Sequence, residues 1–244
     1  MSLATVKKTF EEYGRDDPLY AVLSRRGMRH NQWDPDEFFR TGVREIGEVL
    51  QYVEGLGLPL GRQQALDFGC GVGRLSQALA DHFEQVVGVD IAESMIERAR
   101  QYNRHGDRVE YLVNTTDSLE RLDTASFDFV YTNKTLQHIP PEPAEAYVRE
   151  FFRVLRPGGV AVFQVPNGRP YRAGSLRAWL YNVRRLHLRR VWKILRGRPP
   201  VEIHYIARER IRSIVDESGG RLVDVVDVGK RRKREKNLRY CAAK

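Results

Sequence analysis

The sequence predicts an α/β protein built on a doubly wound, mostly parallel β-sheet. From residue 60 onward, short apolar strand candidates alternate with helical segments, and this alternation is typical of a parallel sheet with helices on both faces. The first strand runs into the turn Gly69-Cys70-Gly71-Val72-Gly73. Glycine adopts positive φ without steric cost and leaves bare backbone for a ligand, so this turn predicts a binding site at one edge of the sheet.

The predicted elements follow one another in a regular order. Strands are predicted at 65–68, 86–89, 109–113, 127–131, 160–165, 222–228 and 238–242. Helices are predicted at 75–83, 94–102, 144–155 and 207–218. Ser94 followed by Glu97 has the pattern of a capping box at the second of these helices, and Pro157-Gly158-Gly159 is expected to end the third. The last two strands are joined by a short link, which favours an antiparallel hairpin.

The first 60 residues predict two or three helices that lie over the sheet domain. This segment is interpreted either as a lid on the ligand site or as simple packing against the sheet's helices. We therefore expect a helical segment at 1–60 and a sheet domain at 61–244, with a basic helical insert at 167–203 before the last helix. The apolar side of the N-terminal helices is expected to come from Trp33, Phe38, Phe39, Val43, Ile46, Val49 and Leu50.

Composition narrows the class of protein. Of the 244 residues, 41% are hydrophobic, and no apolar stretch approaches the roughly 20 residues that a membrane span needs. The polar start of the chain lacks the apolar core of a signal peptide. The two cysteines, Cys70 and Cys241, form neither a disulfide framework nor a metal-ligand spacing. We therefore expect a cytoplasmic protein without a metal site.

The net charge of +9 is concentrated in two segments. Residues 168–200 contain ten Lys or Arg and no acid, and residues 230–236 contain six bases and one acid. Together these segments carry +15 of the formal charge, which leaves −6 on the rest of the chain. The high isoelectric point is therefore a property of two local features and not of the fold.

Two acids beside the glycine turn indicate what binds there. Asp90 ends the second strand, where an acid can accept both hydroxyls of a ribose. A dinucleotide fingerprint, G-x-G-x-x-G, would need a third glycine where this chain has Arg74. Asp67, just before the turn, would oppose a phosphate and favour a cation. The pattern therefore favours a cationic nucleoside.

This turn resembles motif I of the class I S-adenosylmethionine-dependent methyltransferases, of the small-molecule type with methyltransferase domain 11 or 25. The resemblance covers about residues 62–166 and the terminal hairpin. It implies a Rossmann-like, seven-stranded sheet, with S-adenosylmethionine as methyl donor and S-adenosylhomocysteine as product. Where the family often has Gly-Asp-Ala after the third strand, this chain has Asn-Thr-Thr-Asp. The matching residues are Asp67–Gly73, Asp90, 126–130, 136–139 and 153–159.

The resemblance also implies roles for individual residues. The backbone at Gly69 and Gly71 would carry the methionine part of the donor, and Asp67 would compensate its ammonium. Asp90 would hold the ribose, and Ile91 and Met95 would enclose the adenine. The adenine edge would meet Thr115, Thr116 or Asp117, with Asn114 as the alternative to Asp117, while Asn133, Lys134 and Leu136 would line the sulfonium side. The expected cofactor set is Asp67, Gly69, Cys70, Gly71, Gly73, Arg74, Asp90, Ile91, Met95, Thr115, Thr116, Asp117, Asn133 and Leu136.

Methyl transfer from a sulfonium is an in-line displacement, so positioning is the main catalytic task. A base is needed only when the acceptor must lose a proton. His138, just past the fourth strand, is the best placed histidine for that role, and the alternative is that it only bonds its own loop. The residues expected to contact the acceptor are Tyr20, Trp33, Phe38, Gln137, His138, His204 and Tyr205.

The basic segment 168–200 has apolar residues at helical spacing with arginines between them, which predicts a basic amphipathic helix or helix pair. Such a helix can cover a substrate cleft, lie on an anionic membrane as a peripheral contact or grip RNA phosphates. The acidic remainder of the chain disfavours nucleic acid. We therefore expect methyl transfer to an oxygen or nitrogen of a small or carrier-linked, anionic metabolite. The alternatives are an RNA methyltransferase and a non-catalytic binding protein on the same fold.

Overall fold

A computed structural model describes residues 2–167, 202–229 and 236–244. The helices in these ranges are α1 (Leu3–Asp16), α2 (Pro18–Val22), α3 (Pro35–Gly55), α4 (Arg74–Ala80), α5 (Glu93–Tyr102), α6 (Pro141–Val154) and α7 (Arg208–Glu217). The strands are β1 (Gln64–Phe68), β2 (Gln85–Asp90), β3 (Val109–Val113), β4 (Phe127–Thr132), β5 (Leu155–Asn167), β6 (Arg221–Asp227) and β7 (Lys236–Ala243). Single 3₁₀ turns lie at Gly106–Arg108 and Leu136–His138.

The seven strands form one sheet in the order β3-β2-β1-β4-β5-β7-β6. The first five are parallel to their neighbours, whereas β7 runs antiparallel to both β5 and β6. The Rossmann-like sheet and its terminal hairpin, both predicted from the sequence, are thus confirmed. Because the chain order reverses beside β1, a crevice lies at the carboxyl ends of β1 and β4, where such sheets bind ligands.

Alternating side chains of the central strands place the core on both faces of the sheet. Ala65 of β1 packs with the α3, α4 and α5 layer, and its neighbour Leu66 packs with the α6 and α7 layer. A third apolar cluster surrounds Trp33 and Phe38 near α2. The helical start of the chain is confirmed in outline, but Val43, expected on its apolar side, is 49% exposed.

Two local predictions were wrong. The strand β5 begins at Leu155 and not at residue 160. Gly158 within it takes a φ of +81°, and the β4–β5 register shifts between Phe127 and Phe129. The Pro-Gly-Gly stretch is thus an irregular start of the strand. The capping box at Ser94 is absent, because α5 begins at Glu93 and has no side-chain cap of its own.

The charged segments fall mostly outside the described residues. Residues 168–201 and 230–235 are not described, so the basic insert and most of the second basic run remain predictions. In the described ranges, no helix combines the length and the apolar character needed to cross a membrane.

Candidate active site

A cavity of about 370 Å³ opens at the carboxyl ends of β1, β2 and β4. The turn after β1, the loops after β2 and β4, and the helices α1 and α2 form its walls. This volume lies at the lower end of the roughly 300–1,000 Å³ of small-molecule sites. The sequence-predicted residues that line the cavity are Gly69, Cys70, Gly71, Arg74, Asp90, Ile91, Met95, Asn114, Asn133, Lys134, Gln137 and His138.

The glycine turn is shaped by close contacts as well as by its backbone. Gly69 and Gly71 have φ values of +76° and +55°, in the region that other residues rarely adopt. A Cβ atom at Gly71 would lie 2.5 Å from Val22 Cγ2, and one at Gly69 would lie 2.2 Å from Thr135 Cγ2. The bare backbone is thus covered in part by the protein's own side chains, which narrows the space left for a ligand.

Asp90 presents its carboxylate to the cavity from the end of β2. The N–H of Gly71 donates to Oδ2 and the N–H of Ala92 donates to Oδ1, both at 2.9 Å. Burial raises the pKa of Asp90, although these N–H groups oppose the shift. Because each oxygen keeps a further lone pair, the carboxylate can accept from two hydroxyls on one ligand.

Asp67 lies behind the turn and does not line the cavity. Its side chain is buried, and its Oδ2 accepts from the Ser76 hydroxyl at 2.6 Å. Its Oδ1 has no hydrogen-bond partner among the described residues. Burial raises the pKa of Asp67 to about 7. A direct contact between Asp67 and a ligand is therefore not part of this arrangement.

A buried charge network, which we call the Glu45 network, joins α3 to the cavity. Glu45 accepts from Arg74 Nη2 at 2.8 Å, from Asn133 Nδ2 at 2.6 Å and from the Tyr131 hydroxyl at 2.9 Å. Burial would raise the pKa of Glu45, but the charge of Arg74 and these hydrogen bonds outweigh it and lower the pKa. Arg74 Nε and Asn133 Oδ1 stay buried and unpaired within the described ranges, so one donor and one acceptor remain.

The loop after β3 contributes one residue to the cavity, Asn114. Its amide donates to the Tyr147 hydroxyl at 3.2 Å and to the carbonyl of Ser118 at 3.0 Å. By contrast, Thr115, Thr116 and Asp117 are exposed and do not line the cavity. Of the residues weighed for the adenine edge, the fold therefore brings only Asn114 to this wall.

Comparisons with known proteins identify the family. A family model described as a methyltransferase domain matches residues 66–163. The ubiquinone biosynthesis O-methyltransferase of Idiomarina loihiensis is 33% identical over 183 residues, 74% of this chain and 71% of that protein. The protein of the same name from Bordetella avium is 31% identical over 140 residues, 57% of each chain. This chain belongs to the S-adenosylmethionine-dependent methyltransferases.

Two solved methyltransferase structures share the fold over nearly the whole chain. Magnesium protoporphyrin IX methyltransferase from Synechocystis PCC 6803, with bound SAH, has a TM-score of 0.63 at 20% identity and coverage of 99% of both chains. The 1,6-didemethyltoxoflavin-N1-methyltransferase of Burkholderia thailandensis has a TM-score of 0.61 at 18% identity, over 99% of this chain and 88% of that one. At these identities the likeness is one of fold.

The methyl donor of this methyltransferase is S-adenosylmethionine, which supplies its methyl group from a sulfonium. The cavity wall has groups of the required chemistry. Asp90 offers acceptor oxygens for hydroxyls, and Ile91 and Met95 offer apolar surface for a base. Arg74 and Asn133 also line the wall, and their side chains carry the donor and acceptor types that an amino-acid end requires.

His138 is held in one tautomer on the far side of the cavity. Its Nδ1 lies 3.0 Å from the carbonyl oxygen of Glu202, and because a carbonyl only accepts, Nδ1 carries the proton. Its Nε2 therefore accepts from the Gln137 amide at 3.0 Å. Burial lowers the pKa of His138, so the methyltransferase keeps this imidazole neutral at pH 7.

Most of the other residues expected to contact an acceptor lie off the cavity. Trp33 and Phe38 belong to the apolar cluster near α2, where the Trp33 indole donates to the carbonyl of Leu23. His204 lies beside the site, and its backbone N–H donates to the carbonyl of Gln137 at 2.8 Å. The expected residues outside the cavity lining are Asp67, Gly73, Thr115, Thr116, Asp117, Leu136, Tyr20, Trp33, Phe38, His204 and Tyr205.

The helix α1 supplies a wall that sequence reasoning missed. Leu3, Val6 and Phe10 line the cavity, and the Phe10 ring lies 5.8 Å from the His138 ring. Their spacing of three and four residues marks one helix face, which is the signal that would have found them. The methyltransferase thus places an apolar surface beside its candidate base.

Glu11 of α1 contacts the first residues of α5. Glu11 accepts from the N–H groups of Glu93 and Ser94 at 2.6 and 3.2 Å, and the Ser94 hydroxyl donates to the Glu11 carbonyl at 3.0 Å. Burial opposes ionisation of Glu11, but these bonds prevail and lower its pKa. The carboxylate therefore caps α5 from another helix.

Proposed function

We propose that this enzyme transfers the methyl group of S-adenosylmethionine to a hydroxyl oxygen of a small molecule, with His138 as general base. The observation that carries the proposal is the His138 ring, whose Nδ1–H is fixed to the Glu202 carbonyl and whose Nε2 is an acceptor. A nitrogen acceptor with a free lone pair would not require this arrangement. The O-methyltransferase names of the 33% and 31% identical relatives also support oxygen as the acceptor atom.

The base acts on the proton that an attacking hydroxyl must lose. When the acceptor replaces the Gln137 amide at Nε2, that nitrogen would take the hydroxyl proton as the oxygen bonds to the methyl carbon, while the carbon–sulfur bond of the donor breaks and S-adenosylhomocysteine leaves. The lowered pKa of His138 supports this role, since a neutral imidazole is required before the step. A base placed in this way contributes a factor of about 10²–10⁴ to the rate.

The remaining residues position the two reactants. We assign the ribose of the donor to Asp90, its amino-acid end to Arg74 and Asn133, and its adenine edge to Asn114. The apolar face of α1 holds the body of the acceptor against His138. Since the donor is already activated, this alignment is the main source of rate enhancement.

An anionic or carrier-linked acceptor is part of the same proposal. The ten basic residues and absent acids of segment 168–200 support an anionic partner, and a lipid-borne acceptor at an anionic membrane surface would satisfy that charge. The acidic remainder of the chain supports a small acceptor over RNA.

The test compares His138→Gln with His82→Gln, which changes an exposed histidine. A panel of phenols and catechols is incubated with methyl-labelled S-adenosylmethionine, and mass spectrometry locates the methyl group. We expect O-methyl products, and a kcat about 10²–10⁴ lower for His138→Gln with unchanged S-adenosylhomocysteine affinity. The His82→Gln variant should behave as wild type.

The pH profile separates a base from a structural residue. In the wild type, kcat/KM should rise with pH through a pKa below the ordinary value of His, and His138→Gln should lack this limb. Methylation at nitrogen, or a variant with wild-type kcat and pH profile, would overturn the proposal.

A further inference from the structure

We propose that Lys134 binds an anionic group of the acceptor, a carboxylate or a phosphate, and so selects acidic acceptors. This inference rests on the proposed O-methyl transfer and names the substrate class of the same site. Lys134 lines the cavity in the loop between β4 and His138, four residues before the candidate base. Because Lys134 and His138 line the same cavity, one ligand there can meet both side chains.

The two cationic side chains that line the cavity, Arg74 and Lys134, differ in their partners. Arg74 is neutralised by Glu45 at 2.8 Å, and the Asp90 carboxylate accepts two backbone N–H groups. Lys134 makes no hydrogen bond or ion pair with another described residue. The undescribed stretch 168–201 that follows β5 contains no Asp or Glu that could neutralise it.

The backbone of Lys134 gives a second, independent observation. Its φ is +64°, a left-handed conformation that a non-glycine residue rarely adopts, and of the four non-glycine residues with positive φ in the described ranges it is the one that lines the cavity. This turn places the Thr135 side chain over Gly69, in the space that a Cβ atom at Gly69 would need. Glycine or asparagine would serve that turn with less strain, so the geometry points to a role for the lysine side chain itself.

These positions define the shape of the acceptor. An apolar body would lie against Leu3, Val6 and Phe10, which line the same cavity. The hydroxyl would meet His138, and an anionic group on the same molecule would meet Lys134. A hydroxylated aromatic acid has these three features in one rigid framework.

The test measures binding to the complex of the protein with S-adenosylhomocysteine, which cannot react. Calorimetry compares 3,4-dihydroxybenzoate with 4-methylcatechol, its neutral analogue. We expect the wild type to bind the acid about tenfold more tightly, since a charge-assisted hydrogen bond to Lys134 is added. Lys134→Asn, which tolerates the left-handed backbone, should lose this preference, and Lys134→Arg should keep it.

Several results would overturn the proposal. These are equal binding of the two compounds by the wild type, binding of neither, and an acid preference that survives in Lys134→Asn. S-adenosylhomocysteine binding by each variant, measured first, shows that its site is folded.

The outcome is separable from that of the proposed function. If the acid binds through Lys134 but gains no O-methyl group, hydroxyl methylation fails and the anion site stands. If both compounds are O-methylated with equal KM, the anion site fails and hydroxyl methylation stands.

Discussion

Replacing Glu45 by Ala should destabilise the enzyme by about 3 kcal/mol. The substitution leaves the Arg74 guanidinium without its carboxylate and the Tyr131 and Asn133 donors unpaired. Removing one partner of a buried ion pair costs about 3–5 kcal/mol, and each orphaned neutral donor about 1–3 kcal/mol. Because the Glu45 side chain is 21% exposed, water can enter and offset part of this sum.

Urea denaturation measures the loss, with Glu48→Ala as the matched control. Glu48 is exposed on the same helix, and its replacement should change the free energy of unfolding by less than about 0.5 kcal/mol. A double-mutant cycle with Arg74→Met should give a coupling energy of about 2 kcal/mol. A loss below about 1 kcal/mol, or additive single effects, would refute the assignment of a buried charge network.

Three further substitutions test other parts of the site. The pKa of Asp67 is about 7 in the folded protein, against 3.8 in its unperturbed state. Between pH 3.8 and pH 7, the folded protein therefore binds more protons at this residue than the unfolded protein does. The free energy of unfolding should therefore fall as pH rises from 4 to 7, by at most about 1.4 kcal/mol per pH unit from this group. Asp67→Asn should remove that slope in urea denaturation, and an unchanged slope would contradict the prediction. Glu11→Gln weakens the cap on α5 and should cost about 1 kcal/mol in thermal melts, whereas Glu12→Gln should cost almost nothing; equal losses would argue against the cap. Gly71→Ala forces a Cβ to within 2.5 Å of Val22 Cγ2 at a φ of +55°, so S-adenosylhomocysteine should bind more weakly by calorimetry, and Val22→Ala should restore part of the affinity; wild-type binding by the single variant would contradict this.

Features encoded in short stretches of sequence were predictable. The seven strands follow from apolar runs bounded by turn residues, and their parallel arrangement follows from the helices between them. The glycine turn and Asp90 were found because the turn after β1 and the end of β2 have fixed places in such a sheet. The position of His138 at the cavity was predictable for the same reason, since it lies in the short loop after β4.

Features that depend on docking between distant elements were not predictable. Glu45 contacts Arg74 and Asn133 only because α3 packs against α4 and the end of β4. No pattern of residue spacing in the sequence predicts this contact. The capping-box pattern gave the wrong partner for the Ser94 N–H, because Glu11 of α1 accepts from this group and from the Glu93 N–H. A short local capping motif does not form when a carboxylate from another part of the chain accepts from the N–H groups at the start of the helix.

The helix α1 and the sheet domain contribute different residues to the cavity lining. The stretch that matches the methyltransferase domain, 66–163, contains the residues proposed to hold the donor and the proposed base, whereas the apolar wall proposed for the acceptor comes from residues 3–10. A domain cut to the matching stretch would lose this wall, and without α3 it would also lose Glu45, which accepts from Arg74 and Asn133. Under the proposed function, exchanging the cavity-lining residues of α1 is expected to change the range of acceptors, with Glu11 kept to hold α1 against α5.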